Sequence, residues 1–120
     1  PYVDASVAAW AAAERGISEG MLAAHAVTTI HYLVRKELGG TKAKRIVSAV
    51  LKVFSVAAVD GTVIQEALQI SSSDFEDAVT AAAARLACCD YIVTRDPKGF
   101  RGSPVQALTP EAVIPLLRAE

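Results

Sequence analysis

The sequence predicts an α/β fold: a layered α/β/α sandwich on a mainly parallel sheet. Three observations carry that prediction. Short β-branched apolar runs alternate with longer segments of helical periodicity. The runs at Phe54–Val59 and Asp90–Arg95 are apolar enough to be buried strands of a parallel sheet. The 120 residues, 52% of them apolar at a mean hydropathy of +0.34, can bury one core without staples. A single domain over residues 1–120 is expected.

Taken in order, Asp4–Glu14 reads as a helix, with Val7, Trp10, Ala11 and Glu14 at helical spacing and Gly16 as its stop. Ala24–Thr28 is short and β-permissive, and is expected to be a buried strand. Thr29 opens a helix to Leu38, which Gly39-Gly40 closes. Thr41 caps a helix over Lys42–Lys52, whose apolar stripe is Ile46, Val47, Val50 and Leu51. A strand over Phe54–Val59 ends at Asp60-Gly61, and Thr62–Leu68 is a short helix. A polar link leads into the Ala-rich helix Asp74–Cys88. Asp90–Arg95 is the clearest strand signal. Asp96–Pro104 holds too much Pro and Gly for regular structure, and Val105–Leu108 is a last short strand. Thr109-Pro110-Glu111 supplies the cap, first-turn proline and early acid that open a helix to about Arg118, with Pro115 tolerated near its start.

Composition narrows the function classes. Aromatics are 6% of residues, so stacking platforms for bases are few, and a net charge of −1 sets up no global field for nucleic acid. The twelve cations are uneven, however. Arg35, Lys36, Lys42, Lys44 and Arg45 form one group. Arg95, Lys98 and Arg101 form another, directly beside Asp96, where they could hold the phosphates of a strand or simply face solvent. Cys88 and Cys89 are adjacent, unsuited to pairing with each other, and behave as small hydrophobes at a helix end. No zinc-ligand spacing, membrane-length apolar run or signal peptide is visible, and a reducing cytoplasm is expected.

Two stretches carry most of the chemistry: Ser73-Asp74-Phe75-Glu76-Asp77-Ala78 and Tyr91-Ile92-Val93-Thr94-Arg95-Asp96. Ser73 with Glu76 fits a capping box, and acids in a first helical turn also answer the macrodipole. Yet Asp74 and Asp77 share a helix face with Ala81 and Ala84, and three acids in four residues exceed what a cap requires. Asp96 follows a buried strand at the carboxyl end, where open α/β sheets bind ligands; its other reading is an Asp-Pro turn. Converging carboxylates of this kind suit a hard cation such as Mg²⁺ and phosphodiester chemistry. His25 and His31 match no ligand spacing and read as core or edge residues. Gly99 and Gly102 form no phosphate-binding glycine pattern, and Ser103 has no evident base, which argues against nucleophilic serine or cysteine catalysis.

These two runs, with Gly102-Ser103-Pro104-Val105, Leu108-Thr109-Pro110-Glu111 and His31-Tyr32-Leu33-Val34-Arg35-Lys36, make the chain resemble the PIN-domain family over nearly its whole length. The resemblance implies a three-layer α/β/α fold and, in many members, an Mg²⁺- or Mn²⁺-dependent ribonuclease, including the VapC-type toxins of bacterial toxin–antitoxin pairs. It implies that Asp77 and Asp96 are metal-binding and catalytic acids, Asp74 an accessory one, and Thr94 a nearby polar residue. The chain departs from the family pattern in two places. The family's central first strand, with its own Asp, would precede Pro1, so the domain is expected to be incomplete at its N-terminus. The second helix also lacks the family's Glu near Thr29–Leu33.

Two readings follow. In the first, the chain is a metal-dependent endoribonuclease: Asp77, Asp96 and Asp74 hold Mg²⁺ or Mn²⁺, Arg95, Lys98 and Arg101 position RNA, and an antitoxin is a possible partner. In the second, it is a catalytically incomplete PIN-like module that binds protein or RNA. A gap in the sheet would expose strand edges and favour homo-oligomers. A receiver-like signalling domain fits the fold class but lacks an adjacent acid pair at an early strand end.

Overall fold

The computed structural model describes residues 20–118; the helix expected over Asp4–Glu14 lies outside them. The described elements are β1 (Met21–Ala23), α1 (Ala24–Leu38), α2 (Gly40–Val53), β2 (Ser55–Ala57), α3 (Gly61–Ala67), α4 (Phe75–Leu86), β3 (Ile92–Val93), a 3₁₀ turn (Pro97–Phe100), β4 (Ala107–Leu108) and α5 (Pro110–Arg118). The architecture is α/β, and both strand pairs are parallel: β1 with β2 in the register Leu22–Val56, and β3 with β4 in the register Val93–Leu108. Among the described residues no ladder joins the two pairs.

Helix α4 is what joins them. Its Ala78, Val79, Ala82 and Ala83 pack with Ala57, Val63 and Ala67, and with Met21 and Ala23 of β1. Its Ala81 and Ala84 face Ile92 and Val105, with Phe100 and Ala107 alongside. A helix can serve two sheets at once only if its side chains are short on both faces, and here six consecutive or near-consecutive core positions from 78 to 84 are Ala or Val. An Arg85–Glu66 ion pair ties α4 to α3 at the surface. Cys89 Sγ lies 3.8 Å from Met21 Sδ, linking the end of α4 to β1, and neither Cys88 nor Cys89 is in a disulfide.

Several expected boundaries move. Ala24–Thr28 is helical, and the strand is Met21–Ala23 just before it. The β-branched pair Thr28 and Thr29 is accommodated because both hydroxyls donate back to the carbonyl of His25, at 2.7 and 3.3 Å. The strand expected over Asp90–Arg95 shrinks to Ile92–Val93, since Thr94 already turns the chain by accepting the Asp96 N–H at 3.1 Å. Likewise the last strand begins at Ala107, because Ser103 Oγ both accepts from Val105 N and donates to Val105 O. The Pro/Gly loop contains a 3₁₀ turn over Pro97–Phe100. At α5 the expected cap is present, with Thr109 Oγ1 accepting from Ala112 N at 3.2 Å.

The end of α4 carries a local strain that can be tested. Cys88 has φ 59°, the left-handed region disfavoured for residues with a Cβ, and it sits where Cys89 N–H reaches back to Ala84 O at 2.9 Å. Cys88→Gly is expected to stabilise the protein by about 0.5–1 kcal/mol, read as a raised denaturant midpoint at unchanged m-value.

Candidate functional site

The site is built where α4 begins and β3 ends. The N-cap of α4 is Asp74, one residue later than the Ser73 capping box: its Oδ1 accepts the Asp77 N–H at 3.2 Å. Ser72 Oγ in turn bonds the backbone N–H and C=O of Asp74, at 3.2 and 3.0 Å. Aspartate is as good a cap as serine, so the one-residue shift follows from having both in tandem. It leaves Asp74 exposed with one carboxylate oxygen turned onto the helix, and places Asp77 in the first turn, partly buried.

Asp96 arrives from the other side. Thr94 N–H donates to Leu108 O at 2.9 Å, completing the β3–β4 pairing, while its hydroxyl receives the Asp96 N–H. Thr94 thus shapes the bend that presents Asp96. The Asp96 carbonyl then accepts Gly99 N–H at 3.2 Å, closing the 3₁₀ turn. Phe100, next along, is anchored among Ala81, Ala84 and Ile92.

The turn that begins at Asp96 reaches Asp77 through Gly99. Burial holds the Asp77 carboxyl above the usual carboxylate range, and the negative charges of Asp74, Asp96 and Glu76 push it further the same way. Asp96 is nineteen positions away in sequence and on a different element, yet close enough to act on Asp77. Asp77 also lines a shallow crevice with Ser71, Ala81, Gly99 and Phe100. Lys98 and Arg101 are exposed on the turn that follows Asp96, and Arg95 is exposed just before it.

Among the described residues no three His, Cys, Asp or Glu side chains converge as a metal-binding group. The donor set at hand is Asp77 and Asp96, both hard oxygen ligands. That fits Mg²⁺ or Mn²⁺ chemistry, in which one or two carboxylates suffice and water completes the octahedron.

Two features had no usable signal in the sequence. His25 Nε2 lies 3.2 Å from Thr80 Oγ1, one turn along α4 from Asp77. Because Thr80 Oγ1 donates to Glu76 O, it accepts from the His25 ring, whose Nδ1 is buried and unpaired among the described residues. Gly99 abuts Asp77: a Cβ built on it would stand 2.7 Å from Asp77 Oδ2. Neither contact is implied by spacing, since both join segments far apart in the chain.

The architecture is α/β, with Asp77 in the first turn of α4 and Asp96 beyond the end of β3. The PIN domain family model matches residues 1–98, and the chain belongs to the PIN-domain family. Membership suggests a nuclease-type function in general terms, and PIN domains are generally dependent on a divalent metal. No curated protein matches the chain. No helix among the described residues is long and apolar enough to cross a membrane.

Proposed function

We propose that the chain is a metal-dependent endoribonuclease of PIN-domain type, with Asp77 and Asp96 as the principal ligands of Mg²⁺ or Mn²⁺ and Asp74 assisting. The observation that carries this reading is geometric: the 3₁₀ turn that begins at Asp96 abuts the Asp77 carboxylate at Gly99, so acids from separate elements share one neighbourhood. Carboxylates brought together from separate elements, one of them raised by burial and by neighbouring negative charge, suit a cation that would neutralise them. When bound, the ion supplies Lewis-acid activation of water and of the phosphoryl oxygen. The chain's own part is positional: Asp74 caps the helix that carries Asp77, Thr94 shapes the bend that carries Asp96, and Arg95, Lys98 and Arg101 hold the RNA backbone beside them.

The test is calorimetric titration with Mn²⁺ together with RNA cleavage. Mn²⁺ binding that Asp77→Ala abolishes, and cleavage that Asp96→Asn abolishes, support the enzyme. Cleavage unchanged in Asp96→Asn rejects it. The pH dependence has a definite sign. Because Asp77 is raised in the folded state, its proton competes with the metal, so Mn²⁺ affinity rises with pH through the carboxylate range. The same shift makes the group's contribution to stability greatest at acid pH and declining as pH rises through the raised value. Asp77→Asn is expected to flatten that part of the stability–pH curve, measured as the denaturant midpoint from acid to neutral pH.

A second reading is favoured by the absence of a third converging ligand among the described residues. In it the chain is a catalytically incomplete PIN-like module that binds protein or RNA. The exposed apolar side chains of the α1–α2 hairpin, Tyr32, Leu33, Leu38, Ile46 and Leu51, support a protein partner in either reading, an antitoxin or a second copy. Of α1 and α2 only Ala43 is buried. A toxin–antitoxin role in the cytoplasm is the biological setting these properties would serve. No Mn²⁺ binding at millimolar metal supports the module over the enzyme.

A further inference from the structure

We propose that Gly99 is a positioning residue: by lacking a side chain it lets the 3₁₀ turn abut the Asp77 carboxylate and so sets the spacing between Asp77 and Asp96. The inference rests on the assignment of those two acids as the metal site. Its ground is a closed geometric loop. Asp96 begins the turn, and its carbonyl accepts the Gly99 N–H at 3.2 Å. Gly99 then reaches Asp77, where a Cβ would lie 2.7 Å from Oδ2 and 3.7 Å from Cγ. One short turn therefore carries one acid and touches the other. Phe100 pins the turn to Ala81 and Ala84 of the helix that carries Asp77, so the two halves of the loop cannot drift apart independently.

The physical consequence of adding a Cβ differs from that at most close-approach glycines. Gly99 is not in the left-handed region, so alanine can adopt its backbone conformation without strain. The atom in the way is the far end of a side chain, and the easiest response is rotation of the Asp77 carboxylate. Gly99→Ala thus moves the acid and leaves the fold in place. Gly102 is the internal contrast: there a Cβ would meet the backbone oxygen of Ser71 at 2.3 Å, and no side chain can rotate away.

The experiment uses the full chain with Gly99→Ala, and two readouts. The first is Mn²⁺ affinity by calorimetry alongside the thermal midpoint. The second is the Asp77 χ1 rotamer in metal-free protein, from three-bond NMR couplings. Expected is an Mn²⁺ dissociation constant raised about tenfold or more, a thermal midpoint within error of the parent, and a changed Asp77 rotamer. Parent-like affinity with a parent-like rotamer overturns the proposal. If the parent chain itself binds no Mn²⁺, the metal assignment fails and the rotamer alone decides whether Gly99 positions Asp77. If Gly99→Ala lowers the thermal midpoint, the substitution is repeated in an Asp77→Ala background. Disappearance of the loss there supports the contact as its cause, and persistence overturns it.

Discussion

Asp77→Asn and Asp96→Asn are each expected to lower Mn²⁺-dependent RNA cleavage by about 10²–10³-fold, and the double variant to lose little more than either alone. Asparagine keeps the shape of the side chain and removes the charge, so the effect isolates electrostatics from packing. Non-additivity is the informative part. In the proposed site Asp77 and Asp96 would act on one ion, so the second substitution would remove nothing that the first has left intact. Multiplicative losses in single-turnover cleavage would instead mean that the acids serve separate steps. Asp77→Asn carries a second expectation of opposite sign. The folded protein holds this carboxylate against burial and the charges of Asp74, Asp96 and Glu76, so its neutral isostere is relieved of that penalty at neutral pH. A variant that is inactive yet no less stable than the parent is the expected outcome. It is the ordinary trade between a strained site and a comfortable fold.

Gly102→Ala is expected to produce the largest stability loss from a single added methyl group, about 1–3 kcal/mol, seen as a thermal midpoint lower by roughly 4 °C per kcal/mol. The added Cβ would stand 2.3 Å from the Ser71 carbonyl oxygen and 3.2 Å from its carbon. Both are backbone atoms, and the segment around Ser71 is fixed by Ile70, which packs against both core clusters. The loop must therefore lift away from the link before α4. That movement breaks the packing of Phe100 as well, so Mn²⁺ affinity should fall together with stability. In Gly99→Ala the two should separate. A Gly102→Ala protein as stable as the parent would show that this loop rests on the helix more loosely than the geometry indicates.

Local rules reached the elements whose determinants are local. Thr109-Pro110-Glu111 combines a preferred cap, a first-turn proline and an early acid, and the cap at Thr109 is where the sequence placed it. The Ala-rich run of α4 is helical for the same reason, and the acids at its start are legible as cap and first turn. The strands were legible as to existence but not extent. Their lengths depend on where a hydroxyl intercepts the ladder: Thr94 takes the Asp96 N–H, and Ser103 takes that of Val105. The start of α1 was misread because Ala24–Thr28 is short and β-permissive on its own, while in the fold Thr28 and Thr29 both bond back to His25 within a helix.

By itself the sequence determined the fold class and the family, because alternation of elements and the types of residue at their ends are written in order along the chain. Only the tertiary structure decided that the turn begun by Asp96 packs against α4, that its Gly99 sits against Asp77, and that His25 reaches Thr80. Those contacts join segments brought together by the packing of α4 and a 3₁₀ turn. Distances across such a junction depend on the volumes of every side chain between them, which no local pattern encodes.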